Sequence, residues 1–208
     1  MGSPTSTCPS CGAPVQFRSA APYTVCPYCR SMLVRREASL ESIGRVAEVP
    51  DDISPFQLQT AGTFEGRHFT LVGRIRKTWS QGSWSEWCAN FDEAQFGWLA
   101  EAQGDLVMTF EQPLQSPLPL DLAPGTGVPI AGKSFVVADV KAVDVTAAEG
   151  ELSSGATTGA RMTSIDLKGP GLTFATVEID DTQPRLFVGR YVEFEECRFS
   201  NLRALEGW

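Results

Sequence analysis

Histidine is almost missing from this sequence: His68 is the only one. It stands before an apolar stretch with no second histidine and no Ser–Asp pattern beside it, so it reads as ordinary structure. Glycines are not scarce, but neither Gly82 nor Gly97 stands in a G-x-G-x-x-G or G-x-x-x-x-G-K context, so both read as turn or close-approach glycines. No run of about 18 apolar residues is present, which argues against a membrane-spanning helix. The start, MGSPTSTCPSCG, has no basic region and no apolar core, so no secretory signal is expected and a cytoplasmic location is the default.

What is present supports a folded chain. Of 208 residues, 42% are hydrophobic and 20% charged, enough for a core and against wholesale disorder. The length suits one large domain, or a small one and a medium one. The net charge of -8 is unevenly spread. Residues 1–36 hold Arg18, Arg30, Arg35 and Arg36 and no acid, giving +4, and the remainder carries -12. The acidic body repels a nucleic-acid backbone and an anionic membrane surface. A basic module on it can dock on something acidic, including its own chain.

The strongest motif is Cys8-Pro9-Ser10-Cys11-Gly12 followed by Cys26-Pro27-Tyr28-Cys29-Arg30, with fourteen residues between Cys11 and Cys26. Each CxxC is a tight knuckle aiming two sulfurs at one point, and Gly12 supplies the permissive backbone just past the second ligand. Four soft anionic ligands, Cys8, Cys11, Cys26 and Cys29, suit one tetrahedral Zn²⁺ and leave no open position, so the expected site is structural. A redox pair, disulfides or an iron–sulfur centre fit two such closely spaced units less well. Val15-Gln16-Phe17-Arg18, Tyr23-Thr24-Val25 and Met32-Leu33-Val34 read as short strands of a zinc ribbon over residues 1–36. So small a unit depends on its metal for most of its folding energy.

Residues 37–62 read as a connector. Leu40, Ile43 and Val46 recur at threes, which predicts a turn or two of helix from Ser39, weakened by Gly44. Phe56 and Leu58 alternate with Gln57 and Gln59 as in a short edge strand. Ile53 and Phe56 are expected to pin the connector to the body.

From Gly66 to Cys197 the pattern is β. Phe69 to Trp79, Trp84 to Phe91, Phe96 to Leu99 and Leu106 to Phe110 predict an antiparallel meander, a first lobe over residues 63–112. Pro113, Pro117, Pro119, Pro124 and Pro129 then break the chain. A second lobe over 125–200 has strands at Phe135–Val145, Ser164–Leu167, Leu172–Ile179 and Leu186–Phe194, with a further one around Cys197. Glu149 to Arg161 reads as an exposed loop. The lobes share features: Gly66-Arg67 and Gly132-Lys133 each open a long apolar strand, and Asn90-Phe91-Asp92-Glu93 is loosely matched by Glu178-Ile179-Asp180-Asp181. The expected fold is therefore mainly β, a zinc ribbon followed by a two-lobed antiparallel β-barrel-like body with the marks of a duplicated unit.

Trp79, Trp84 and Trp87 surround one hairpin turn, and Trp84 has the parity opposite to Trp87. A tryptophan on a hairpin rim can anchor a partner, so these three are the candidate interaction residues, with packing of Trp84 on the connector or the other lobe as the plainer alternative. Cys88 and Cys197 read as small buried hydrophobes. Asp92-Glu93 and Asp180-Asp181 read as turn acids.

The segment Phe69-Thr70-Leu71-Val72-Gly73-Arg74-Ile75, then Trp84-Ser85-Glu86-Trp87, then Gly97-Trp98-Leu99-Ala100-Glu101 resembles a bacterial domain family of unknown function, DUF4178, including members with an N-terminal zinc ribbon. The resemblance carries over no catalytic residue. It implies an accessory protein of envelope stress or membrane remodelling, with a protein partner in a membrane-associated assembly. The first expectation is a non-enzymatic adaptor presenting a Trp84-centred surface. The second, an enzyme or small-molecule binder, requires a pocket between the lobes lined by His68, Asp92 or Asp180. The third, nucleic-acid binding through the ribbon, is disfavoured by the charge.

Overall fold

The computed structural model describes residues 5–36, 39–92, 95–114, 122–155, 159–181 and 183–204. Pro117 and Pro119 of the break and Glu93 of the first turn lie outside them. Among the described residues there is no helix.

The N-terminal module holds β1 (Thr5–Thr7), β2 (Pro14–Gln16), β3 (Tyr23–Val25), β4 (Ser31–Arg36) and β5 (Ser39–Arg45). β2 pairs with β1, and β3 with β4. The predicted helix after Ser39 is instead strand β5, paired antiparallel with β4. Its register slips where Met32 faces Gly44 and Leu33 faces Ser42, leaving Ile43 as the extra residue of a β-bulge. The three apolar residues share no face: Leu40 packs on the cysteine cluster, Ile43 is exposed, and Val46 is buried in another cluster just beyond the strand. Later in the connector no strand forms around Phe56; Phe56 is buried as expected, whereas Ile53 is exposed, and Asp52 and Ser54 hold the segment to the body through Arg74 and Glu101.

The body has two halves of the same order. The first is β6 (Ala61–Phe64), β7 (Arg67–Trp79), β8 (Gly82–Phe91), β9 (Phe96–Ala102) and β10 (Asp105–Gln112). The second is β11 (Gly127–Ile130), β12 (Lys133–Leu152), β13 (Arg161–Lys168), β14 (Thr173–Ile179) and β15 (Arg185–Val192). Each opens with a two-residue hairpin whose turn residues both have positive φ: Glu65 and Gly66 at 51° and 77°, Ala131 and Gly132 at 48° and 75°. That is the turn whose twist matches the flanking strands. The second suggested correspondence does not hold. Asn90 and Phe91 end the second strand of their meander, whereas Glu178 and Ile179 end the third of theirs. Around Cys197 there are turns rather than a strand.

The halves close on each other. β10 pairs with β15, and β7 with β12, so the eight strands of the two meanders form one antiparallel ring. Closure depends on the length of β12. Its final residues, expected as loop from Glu149, continue as strand through Leu152 and pair first with β7 and then with β3 of the cysteine module. At this seam Gly73 faces Gly150. A Cβ on Gly73 would fall 1.9 Å from the Glu151 carbonyl oxygen, and one on Gly150 2.3 Å from that of Val72, so the backbones approach only because both are glycine.

Alternation along each strand gives the ring two different faces. Outside, Leu71, Trp87, Ala89, Leu99 and Met108 form an apolar layer in the first half, covered by Phe56, Phe64 and Phe199. Ile165, Leu167, Ala175 and Val177 form its counterpart in the second half, under Leu122, Val128 and Ile130. The face inside the ring mixes charged and polar side chains with apolar ones.

Candidate functional site

The four cysteines converge. Their sulfurs lie within 4.8 Å of one another, with Cys8 and Cys29 3.7 Å apart and Cys11 and Cys26 3.8 Å apart. A tetrahedron with metal–sulfur bonds of about 2.3 Å has edges of about 3.8 Å, so the spacing suits a tetrahedral ion. The two knuckles are built alike: the Gly12 amide donates to the Cys8 carbonyl and the Arg30 amide to that of Cys26, each at 2.9 Å, and Gly12 and Arg30 both have positive φ. The Ser31 hydroxyl and amide hold the Cys29 thiol down to about 6. At Cys11 the Ala13 amide pulls downward, but desolvation and the other three thiols carry it up to about 12. Four crowded thiols resist joint ionisation without a cation; a bound divalent ion would relieve this.

The module is joined to the body by a carboxylate. Glu151, buried beside the β12–β3 pairing, accepts from the Arg18 amide at 2.6 Å, the Ser19 amide at 2.9 Å and the Ser19 hydroxyl at 2.6 Å. The basic module thus meets an acid of its own body, through backbone amides rather than guanidinium groups. Val25, Met32 and Val46 share one apolar cluster with Ile75, Trp98, Val145 and Phe187 of the ring.

Inside the ring lies a cavity of about 540 Å³, to which all eight strands contribute. This is within the range of small-molecule sites, and eight strands are about the number that can enclose one small ligand. Ile75, Trp98, Val145 and Phe187, buried in the shared cluster, form its apolar wall. The exposed Gln81, Ser83, Gln103, Asp105 and Asp180 form its rim. Trp84 is half-buried in the lining, its indole N–H donating to Glu86 at 2.9 Å.

Charges cross the interior. Lys77 of β7 is buried and donates to Glu86 of β8 at 2.7 Å and to Glu178 of β14, tying the two halves together. Burial alone would lower the Lys77 pKa, but these two carboxylates more than reverse it and hold the ammonium charged. A lysine so held is no nucleophile. Lys141 pairs with Asp139, lies 3.8 Å from Asp166 and sits over the Trp79 ring, 5.1 Å from its centroid. Burial pushes the Asp166 carboxyl up, despite Lys141. Arg185 makes a two-pronged contact with Glu111, at 2.9 and 2.8 Å.

The sequence candidates divide accordingly. Trp79 and Trp84 line the cavity, whereas Trp87 is 1% exposed on the outer face, packed on Phe56 and donating to Glu101. His68 and Asp92 are exposed and outside the lining, and Asp180 is within it. Cys88 and Cys197 are buried in different clusters, and burial pushes their thiols up to about 12 and about 11. Sequence reasoning missed Lys77, Glu86, Lys141, Asp166 and Glu178. Their only signal was a polar residue at alternate strand positions.

A model of the family described as Domain of unknown function (DUF4178) matches residues 57–194, well over half the chain and the whole ring. No curated protein and no solved structure matches.

Proposed function

The chain belongs to the DUF4178 family of domains of unknown function, and from the geometry of its barrel we propose that it is a non-enzymatic receptor for a small organic molecule held inside the ring. The observation that carries this is the cavity of about 540 Å³ lined by three tryptophans, Trp79, Trp84 and Trp98, and by polar groups from both halves. The state of the lysine and thiols favours a receptor over an enzyme working through either. Lys77 is locked in its ion triad, and neither Cys88 nor Cys197 is an activated thiol. An adaptor built on a Trp84-centred surface is less well supported, because Trp84 belongs to the lining. The expectation of a membrane-associated partner rests on the family resemblance alone.

In this reading residues 1–36 are a ribbon that braces the ring through one structural Zn²⁺ on Cys8, Cys11, Cys26 and Cys29, residues 37–62 connect, and 63–112 and 125–200 are the two lobes. Four thiolates would hold the ion with no open position, so it would supply folding energy and no catalysis. Metal analysis of the purified protein should find about one zinc per chain, lost in Cys26→Ser. Iron in its place would contradict the zinc assignment.

The receptor reading is tested by screening a small-molecule library for changes in tryptophan emission and in melting temperature. At least one compound class should shift both in the native protein and neither in Trp84→Ala. A library without a hit, or hits indifferent to Trp84, would count against it.

A further inference from the structure

The cavity's charges point to its occupant, provided that the receptor reading holds. The lining carries five carboxylates, Glu86, Asp105, Asp166, Glu178 and Asp180, against three cations, Lys77, Lys141 and Arg185. Each of those cations is already committed. Lys77 lies between Glu86 and Glu178, Lys141 contacts Asp139 and Asp166, and Arg185 is forked onto Glu111. An anionic ligand would therefore have to break an existing ion pair inside a partly desolvated site, and would still meet a surplus of negative charge. A cation meets the opposite situation. Among the described residues Asp105, on the rim, makes no ion pair, and the one ion pair of Asp166, which also accepts a hydrogen bond from Thr176, is the longer Lys141 contact of 3.8 Å. The lining also carries the aromatic side chains of Trp84, Trp98, Phe174, Phe187 and Tyr191. Aromatic faces attract ammonium and guanidinium groups as well as apolar surface.

We infer that the cavity takes an organic cation, an ammonium or guanidinium group on an apolar body, with the apolar part against Trp84, Trp98 and Phe187 and the charge towards Asp105 and Asp166. The Lys77 triad is a fixed strut in this arrangement. It fills the polar centre and leaves the surplus acids to the ligand.

The test is calorimetric titration of the full-length protein with a library of primary and quaternary ammonium compounds of graded size, each accompanied by the alcohol and the carboxylate of the same skeleton. The expected result is that the best ammonium compound binds at least about tenfold more tightly than both analogues. Asp105→Asn and Asp166→Asn should each weaken it severalfold and leave the alcohol unchanged. Asp105 is exposed, so its variant also keeps the test clear of folding defects. Equal or tighter binding of the alcohol or carboxylate, or ammonium binding indifferent to both aspartates, would overturn the inference while the receptor reading stood. No binding in any arm would overturn both.

Discussion

The two faces of the ring are made of the same strands and do opposite things. Outside, an apolar layer is sealed under Phe56, Phe64 and Phe199 on one half and under Leu122, Val128 and Ile130 on the other. Inside, the alternate residues carry lysines, acids, hydroxyls and indoles around a cavity. The usual expectation for a small barrel, side chains filling the interior, is inverted here. The difference assigns stability mainly to the outer face and ligand contact to the inner one. Substitutions on the two faces should therefore separate stability from binding.

The largest loss of stability is expected outside. Trp87→Ala should cost about 3–5 kcal/mol in urea denaturation, by cavity formation under Phe56. The protein that remains folded should bind as before. The inner face has one exception to its small stability role. Lys77→Met should cost about 3 kcal/mol, because Glu86 and Glu178 are left buried and facing each other. The triple variant Lys77→Met, Glu86→Gln, Glu178→Gln should recover most of that loss. The folded pKa of Lys77 is raised, so the triad's contribution is complete below the ordinary lysine value of 10.5 and is lost only as pH rises through the raised one.

A third prediction concerns acids with opposite signs. Burial pushes Asp52 up, but the bond to Arg74 and the charges of Arg74 and Arg76 more than reverse this, so its folded pKa lies below 3.8. Its contribution is whole above 3.8 and is lost as pH falls through the folded value. Asp166, raised by burial, behaves the other way: it costs stability at neutral pH, and the cost is relieved as pH falls through its raised value towards 3.8. Asp52→Asn should accordingly remove about 1–2 kcal/mol at neutral pH and flatten the acid limb of a pH–stability curve. Asp166→Asn should cost little or stabilise. The smallest stability effect is expected for Trp84→Ala, under about 1 kcal/mol because the side chain is half-exposed to the cavity, and with it the ligand response should vanish.

Much of this was legible in the sequence, and the limits have physical causes. The cysteine spacing named all four residues of the metal-site candidate, since two CxxC knuckles have few other uses. The strand positions of both meanders followed from alternation, and the two Gly-basic pairs marked where their long strands open. β5 was misread because Leu40, Ile43 and Val46 are spaced by threes without sharing a face: Leu40 and Val46 pack into different clusters and Ile43, the bulged residue, is exposed. The end of β12 was misread because Glu149-Gly150-Glu151 looks like loop; only the ring's closure requires glycine there. The cavity was invisible for a deeper reason. Asp166 and Glu178 alternate with apolar residues as solvent-facing residues do, and Lys77 stands between Arg76 and Thr78 in a polar stretch. Alternation says which residues share a face, but long-range pairing of β7 with β12 decides whether that face looks onto water or into an enclosed site. The same closure moves Trp84 from a candidate surface anchor into the lining.

The most direct measurement is native mass spectrometry of the protein purified without harsh washing, beside Ala100→Phe, which places a ring in the cavity from β9. The account predicts a small-molecule adduct of constant mass on the native chain and none on the variant, with both equally folded. Native chain free of any adduct across sources and loadings, or an adduct carried equally by the filled variant, would contradict it.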